Sequence, residues 1–75
     1  MIPYKDLDND SGVLGFEIED DAIIVHFKKG TFTKYKYTYS SAGVAAIEKM
    51  KTLAHSGEGL NSYISTSKPP FQSKG

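Results

Sequence analysis

From residue 34 to residue 39 the chain alternates, Lys34-Tyr35-Lys36-Tyr37-Thr38-Tyr39. A period of two belongs to a β-strand, whose successive side chains project to opposite faces. Residues 31–39 are therefore expected to form a strand with two distinct rows. Tyr35, Tyr37 and Tyr39 make the phenolic row, and Phe32, Lys34 and Lys36 make the other. Two earlier segments share the period. Leu14, Phe16 and Ile18 alternate with Gly15, Glu17 and Glu19, and the β-branched run 22–27 places Ile23, Val25 and Phe27 on one face. Asp20-Asp21 supplies one tight turn, and Lys28-Lys29-Gly30 closes a second hairpin in which glycine provides the positive φ.

After the third strand the period changes. Ser40-Ser41 offers a helix cap, and Val44, Ile47, Met50 (or Lys51) and Ala54 then recur at helical spacing. Ser56-Gly57-Glu58-Gly59 should stop that helix through a left-handed exit. Residues 60–65 can form a short second helix with Leu60 and Ile64 inward. The expected fold is α+β: a three-stranded antiparallel β-meander followed by one main α-helix and a short second helix. Residues 1–12 read as a flexible acidic arm, 13–66 as the domain, and 67–75 as a proline-containing tail.

Seventy-five residues can bury only about 60–65% of the surface that the unfolded chain exposes, so the core is small. Cysteine is absent, so disulfides cannot reinforce it. Self-association is the remaining device, and the aromatics near the two ends, Tyr4 and Phe71, give copies a reason to pair. No apolar run approaches the ~18 residues that span a bilayer. The amino terminus turns acidic where a secretory signal would turn apolar, so the reading is a soluble, cytoplasmic protein without a membrane partner.

Nine basic residues balance nine acidic ones, and every basic residue is lysine. A domain that grips a long polyanion carries a positive excess, and arginine forks onto phosphate and guanine better than lysine does. Balance without arginine points towards a small or local anion.

The segments Leu14-Gly15-Phe16, Ile23-x-Val25-x-Phe27, Gly30 and Tyr35-Lys36-Tyr37, then a helix and Gly57-x-x-Leu60-Asn61-x-x-Ile64, resemble the KTSC domain. That domain is found at the carboxy terminus of some lysyl-tRNA synthetases and as free-standing small proteins. The likeness spans roughly residues 11–71. The chain departs from the family at Gly59, where an aromatic is usual, and at Ser65, where a basic residue is usual. The resemblance implies RNA as a ligand.

The candidate ligand-binding residues are Lys28, Lys34, Lys36, Tyr35, Tyr37 and Asn61. Aromatics on a sheet stack bases while lysines hold phosphate. The competing role for the tyrosines is core packing under the helix, with hydroxyls at the rim. For the lysines it is a solvated face. Asn61 follows a glycine loop whose N–H groups favour an anion, or it simply caps the turn. Asp6-x-Asp8-x-Asp10 with Glu17 copies the spacing of a calcium loop, but Ser11 replaces the required glycine. His26 and His55 stand apart without cysteine, so no zinc spacing exists. His55-Ser56 adjacency alone does not make a nucleophilic site. Together these features imply no catalysis, no cofactor and no metal. They point to a non-catalytic, oligomeric binding module for a nucleotide-type anion, either an RNA segment or a small signalling nucleotide. Phages use proteins of this general size to sequester such nucleotides, which is an analogy of size alone. The alternative is a protein-interaction module using its sheet edge or its Pro-Pro-Phe arm.

Overall fold

The computed structural model describes residues 1–5 and 12–75. The fold is α+β, with one antiparallel sheet and helices. The elements in chain order are β1 (Ile2–Pro3), β2 (Val13–Glu19), β3 (Ala22–Phe27) and β4 (Lys34–Thr38), then α1 (Tyr39–Ala42), α2 (Val44–Ser56), α3 (Leu60–Ser67) and β5 (Ser73–Lys74). The expected meander is β2-β3-β4. Among the described residues the sheet has five strands, not three, in the order β1-β2-β3-β4-β5. Its two edges are two-residue strands from the ends of the sequence, pairing Ile2 with Phe16 and Lys36 with Ser73.

Alternation in β2 departs from the simple pattern. Val13 pairs with Phe27 and Gly15 with His26, so a β-bulge at Leu14 shifts the rows by one residue. Val13 and Phe16 are both buried, while Leu14 is 49% exposed and Ile18 is 37% exposed. Gly15 serves close approach here: a Cβ would lie 2.7 Å from the Ile2 carbonyl oxygen, so any side chain would push β1 off.

The strand β4 ends at Thr38, not Tyr39. The Thr38 hydroxyl accepts from the Ser41 N–H while the Ser41 hydroxyl accepts from the Thr38 N–H, a reciprocal capping box. Tyr39 therefore leaves the phenolic row and opens α1, where its hydroxyl donates to the Glu48 carboxylate at 2.7 Å. Gly43, with φ 92°, separates α1 from α2. The chain redirects there, so Val44 is 55% exposed where helical spacing alone had it inward, and Ala42 packs against the core at that end. Ile47, Met50 and Ala54 supply the buried stripe of α2. The exit is left-handed at Gly57, φ 81°, whose N–H bonds back to Leu53 and Ala54.

The core lies between one sheet face and the helices, with Phe16, Ile23, Val25 and Tyr37 from the sheet against Ile47, Met50 and Leu60. Tyr4 joins them, 7% exposed, and its hydroxyl accepts from the Leu60 N–H at 3.2 Å. That N–H is one of the orphan donors of a helix start, and α3 has no side-chain cap of its own. Tyr4 is thus anchored in the core and is not an exposed aromatic available for pairing. At its other end α3 stops at Lys68, with φ 47° and ψ 56°. A left-handed non-glycine residue costs about 1–2 kcal/mol. Among the described residues it is the sole non-glycine position with positive φ, and Pro69 follows.

Candidate functional site

Register assigns the two rows of β4 to different environments. Tyr35 lies opposite Val25 and Tyr37 opposite Ile23, on the helix-covered face. Lys36 lies opposite Ile24 and Lys34 opposite His26, on the open face. On that face carboxylates interleave with the lysines. Lys36 pairs with Glu19 at 3.2 Å, and His26 Nε2 meets Glu17 at 2.6 Å. The hydrogen bond from His26 holds the Glu17 carboxyl below its ordinary range. Ile24 is only 7% exposed although it faces outward, between Glu17 and Lys36 in adjacent strands. The lysine row is thus part of a mixed-charge lattice.

The covered face opens, at the far end of β4, into a cleft of about 670 Å³. Its walls are the β3–β4 loop, the sheet at Tyr35 and Tyr37, the exposed side of α3 at Asn61, Ile64 and Ser65, and the segment Lys68 to Phe71. Five aromatic rings line it: Phe27, Phe32, Tyr35, Tyr37 and Phe71. Phe27 and Tyr35 meet edge to face at 5.5 Å, Tyr35 and Tyr37 stack at 6.4 Å, and Phe71 stands edge-on to Tyr35 at 5.1 Å. Such geometry aligns ring edges with ring faces and fixes the wall. Phe32 and Phe71 are the exposed rings, at 41% and 42%, and the Lys74 ammonium lies over both at the rim, 4.6 Å from the Phe32 centroid and 5.5 Å from that of Phe71.

Of the six residues expected from sequence, Tyr35, Tyr37 and Asn61 come together in this cleft. Lys34 and Lys36 stand on the opposite face, and exposed Lys28 does not line the cleft. The cations that do line it, Lys29 and Lys68, have no ion-pair partner among the described residues. Lys68 is not among the residues that spacing points to, and Lys29 is expected only beside Lys28 in the exposed hairpin that flanks Lys34 and Lys36. Lys29 arrives by hairpin closure, and Lys68 because Pro69 and Pro70 turn the chain back across the sheet. A lysine at a helix end just before two prolines was the available signal.

Tyr37 is 3% exposed, and burial, with Tyr35 beside it, pushes its phenol up from 10.0 to about 12. In the unfolded chain the phenol ionises near 10, so between pH 10 and 12 only the unfolded state sheds that proton. This contribution to stability is complete below pH 10 and is lost as pH rises through 12. The melting temperature is expected to fall more steeply over this interval in the parent than in Tyr37→Phe, and equal slopes would show that the phenol is not the cause.

The other chemistry-bearing residues have structural partners. The His55 ring packs edge-on against Phe16 at 5.4 Å, and the Ser56 hydroxyl donates to the Leu53 carbonyl at 2.8 Å. Asp6, Asp8 and Asp10 lie outside the described residues, and Glu17 is held in β2 beside His26. Among the described residues no cluster of three or more His, Cys, Asp or Glu could hold a metal ion. No helix of the described residues is long and apolar enough to cross a membrane. The chain matches no family model, no curated protein and no solved structure.

Proposed function

We propose that the protein is a non-catalytic binding module that holds a nucleotide-type ligand in the aromatic cleft. The observation that carries this reading is the pairing, in one cleft, of five rings with two lysines that lack an ion-pair partner among the described residues. A volume of about 670 Å³ lies within the ~300–1,000 Å³ typical of small-ligand sites. The base lies against Phe32, one of the cleft's two exposed rings with Phe71, where stacking contributes roughly 1–3 kcal/mol. The Asn61 amide offers donors and acceptors to the base edge, and Lys29 and Lys68 neutralise phosphate. The resemblance to the KTSC domain favours the same ligand class, with RNA as one member of it. The open face is the weaker candidate because Glu17 and Glu19 oppose an anion there. The Pro-Pro-Phe arm is also a weaker docking element for a foreign protein. Pro69 is buried and Phe71 packs on Tyr35, so the arm would first have to detach.

A thermal-shift screen of mononucleotides, cyclic dinucleotides and short RNAs tests this. A ligand at 100 times its Kd should stabilise the fold by about 2.7 kcal/mol. Lys29→Glu with Lys68→Glu should weaken binding roughly tenfold or more, and added salt should do the same to the parent. Lys34→Glu with Lys36→Glu should change it less than about threefold, since those cations already face carboxylates. The cleft reading fails if no nucleotide class shifts the melt, or if the open-face pair is the one that abolishes binding.

A further inference from the structure

Residues 69–75 form an arm whose contacts converge on the cleft and on the edge of β4. The Gln72 N–H donates to the Lys36 carbonyl and the Gly75 N–H to the Lys34 carbonyl, both at 2.7 Å. The Gly75 carbonyl accepts from the N–H groups of Thr33 and Lys34. Phe71 packs edge-on to Tyr35 and Tyr37. Strand addition is made through backbone groups, so the acceptor edge cannot tell which copy supplies the strand.

The joint between arm and domain is the least relaxed backbone described. Lys68 sits at φ 47° immediately before Pro69 and Pro70. Residues before proline favour extended backbone, and two prolines stiffen an extended course. Folding the arm back onto its own sheet forces Lys68 out of that preference. Short hinges under strain are the feature that invites exchange of an element between copies.

We propose that two copies of this chain exchange residues 69–75, each arm docking as the edge strand of the other. The exchanged dimer keeps every arm contact, twice over, and frees both Lys68 residues from the left-handed conformation. Each cleft is then composite, closed by the partner's Phe71 and Pro70. A short tether acts at an effective concentration in the millimolar range, which favours the closed monomer at high dilution. Hinge relief counters it by roughly five- to thirty-fold per copy. The two together place the monomer–dimer midpoint at about one to tens of micromolar.

The chain lacks cysteine, and Lys36 and Ser73 are direct cross-strand partners, so Lys36→Cys with Ser73→Cys sets two thiols side by side across the ladder, where a bridge can form. The double variant is folded and oxidised at about 5 µM and 500 µM, midpoints being bracketed by these. Products are then separated without reductant and the linkage mapped by mass spectrometry. Exchange gives a covalent dimer joined by 36–73 bonds, increasing with concentration and falling at least fivefold when Lys68→Gly is added. Only intrachain monomer at both concentrations, or dimers joined 36–36 or 73–73, overturns it. Light scattering of the unaltered chain covers the case in which the cysteines disturb folding. Monomer mass throughout, up to about 1 mM, likewise overturns the proposal. No ligand enters either measurement, so a negative result leaves the nucleotide reading standing.

Discussion

Replacing Tyr4 by alanine is expected to destabilise the protein by roughly 3–5 kcal/mol, the range for deleting a buried aromatic. Two effects combine. The ring leaves the core it shares with Leu60 and Phe16. The Leu60 N–H also loses its acceptor at the start of α3, and an unsatisfied buried donor costs about 1–3 kcal/mol by itself. A domain of 75 residues has about 4–11 kcal/mol of stability in total. Each kcal/mol moves the melting temperature of such a domain by about 4–8 °C. The alanine variant should therefore melt at least about 12 °C lower, and Tyr4→Phe should show only the smaller, hydrogen-bond part. A melt within about 3 °C of the parent would mean that Tyr4 is not anchored as described.

Tyr37→Ala should have an effect of the same size, about 3–5 kcal/mol, because Tyr37 is 3% exposed between sheet and helices. Tyr35, one turn of the pleat away, is only half-buried and faces the cleft. Tyr35→Ala should cost clearly less stability, about 1–2 kcal/mol, and should loosen the Phe71 contact. Chemical denaturation of the two variants side by side separates core from site. Equal losses would put both rings in the core and leave the cleft without its back wall.

Local chemistry made much of this architecture readable. The rows Ile23 with Val25 and Tyr35 with Tyr37 follow from side-chain alternation, which is a property of a few consecutive residues; the register that sets Ile23 opposite Tyr37 is seen only in the sheet. Gly57 ended α2 as its conformational freedom implied. What escaped were features that exist only after the chain has folded. Two-residue strands such as β1 and β5 have no measurable period, and their pairing depends on distant partners. The bulge at Leu14 obeys the register of β3, not a pattern within β2. The helix expected after Ser40-Ser41 is split: Thr38 caps the short α1, with Ser41 returning the hydrogen bond, and Gly43 starts α2 without a side-chain cap. The site divided in the same way. Tyr35, Tyr37 and Asn61 were legible as aromatic or turn-adjacent residues, whereas Lys29 and Phe32 join them only once the β3–β4 loop closes, and Lys68 only once the arm has turned back.

The same two short flanking strands bear on how the sheet avoids growing. An unpaired strand invites another molecule to continue the ladder, and β2 and β4 are seven and five residues long. Pro3 covers one of them with a residue that has no amide to offer, and Lys74 places a charge beside the other. Trimming either flank would uncover a template for fibre-like stacking, so a few residues at each side act as guards against polymerisation.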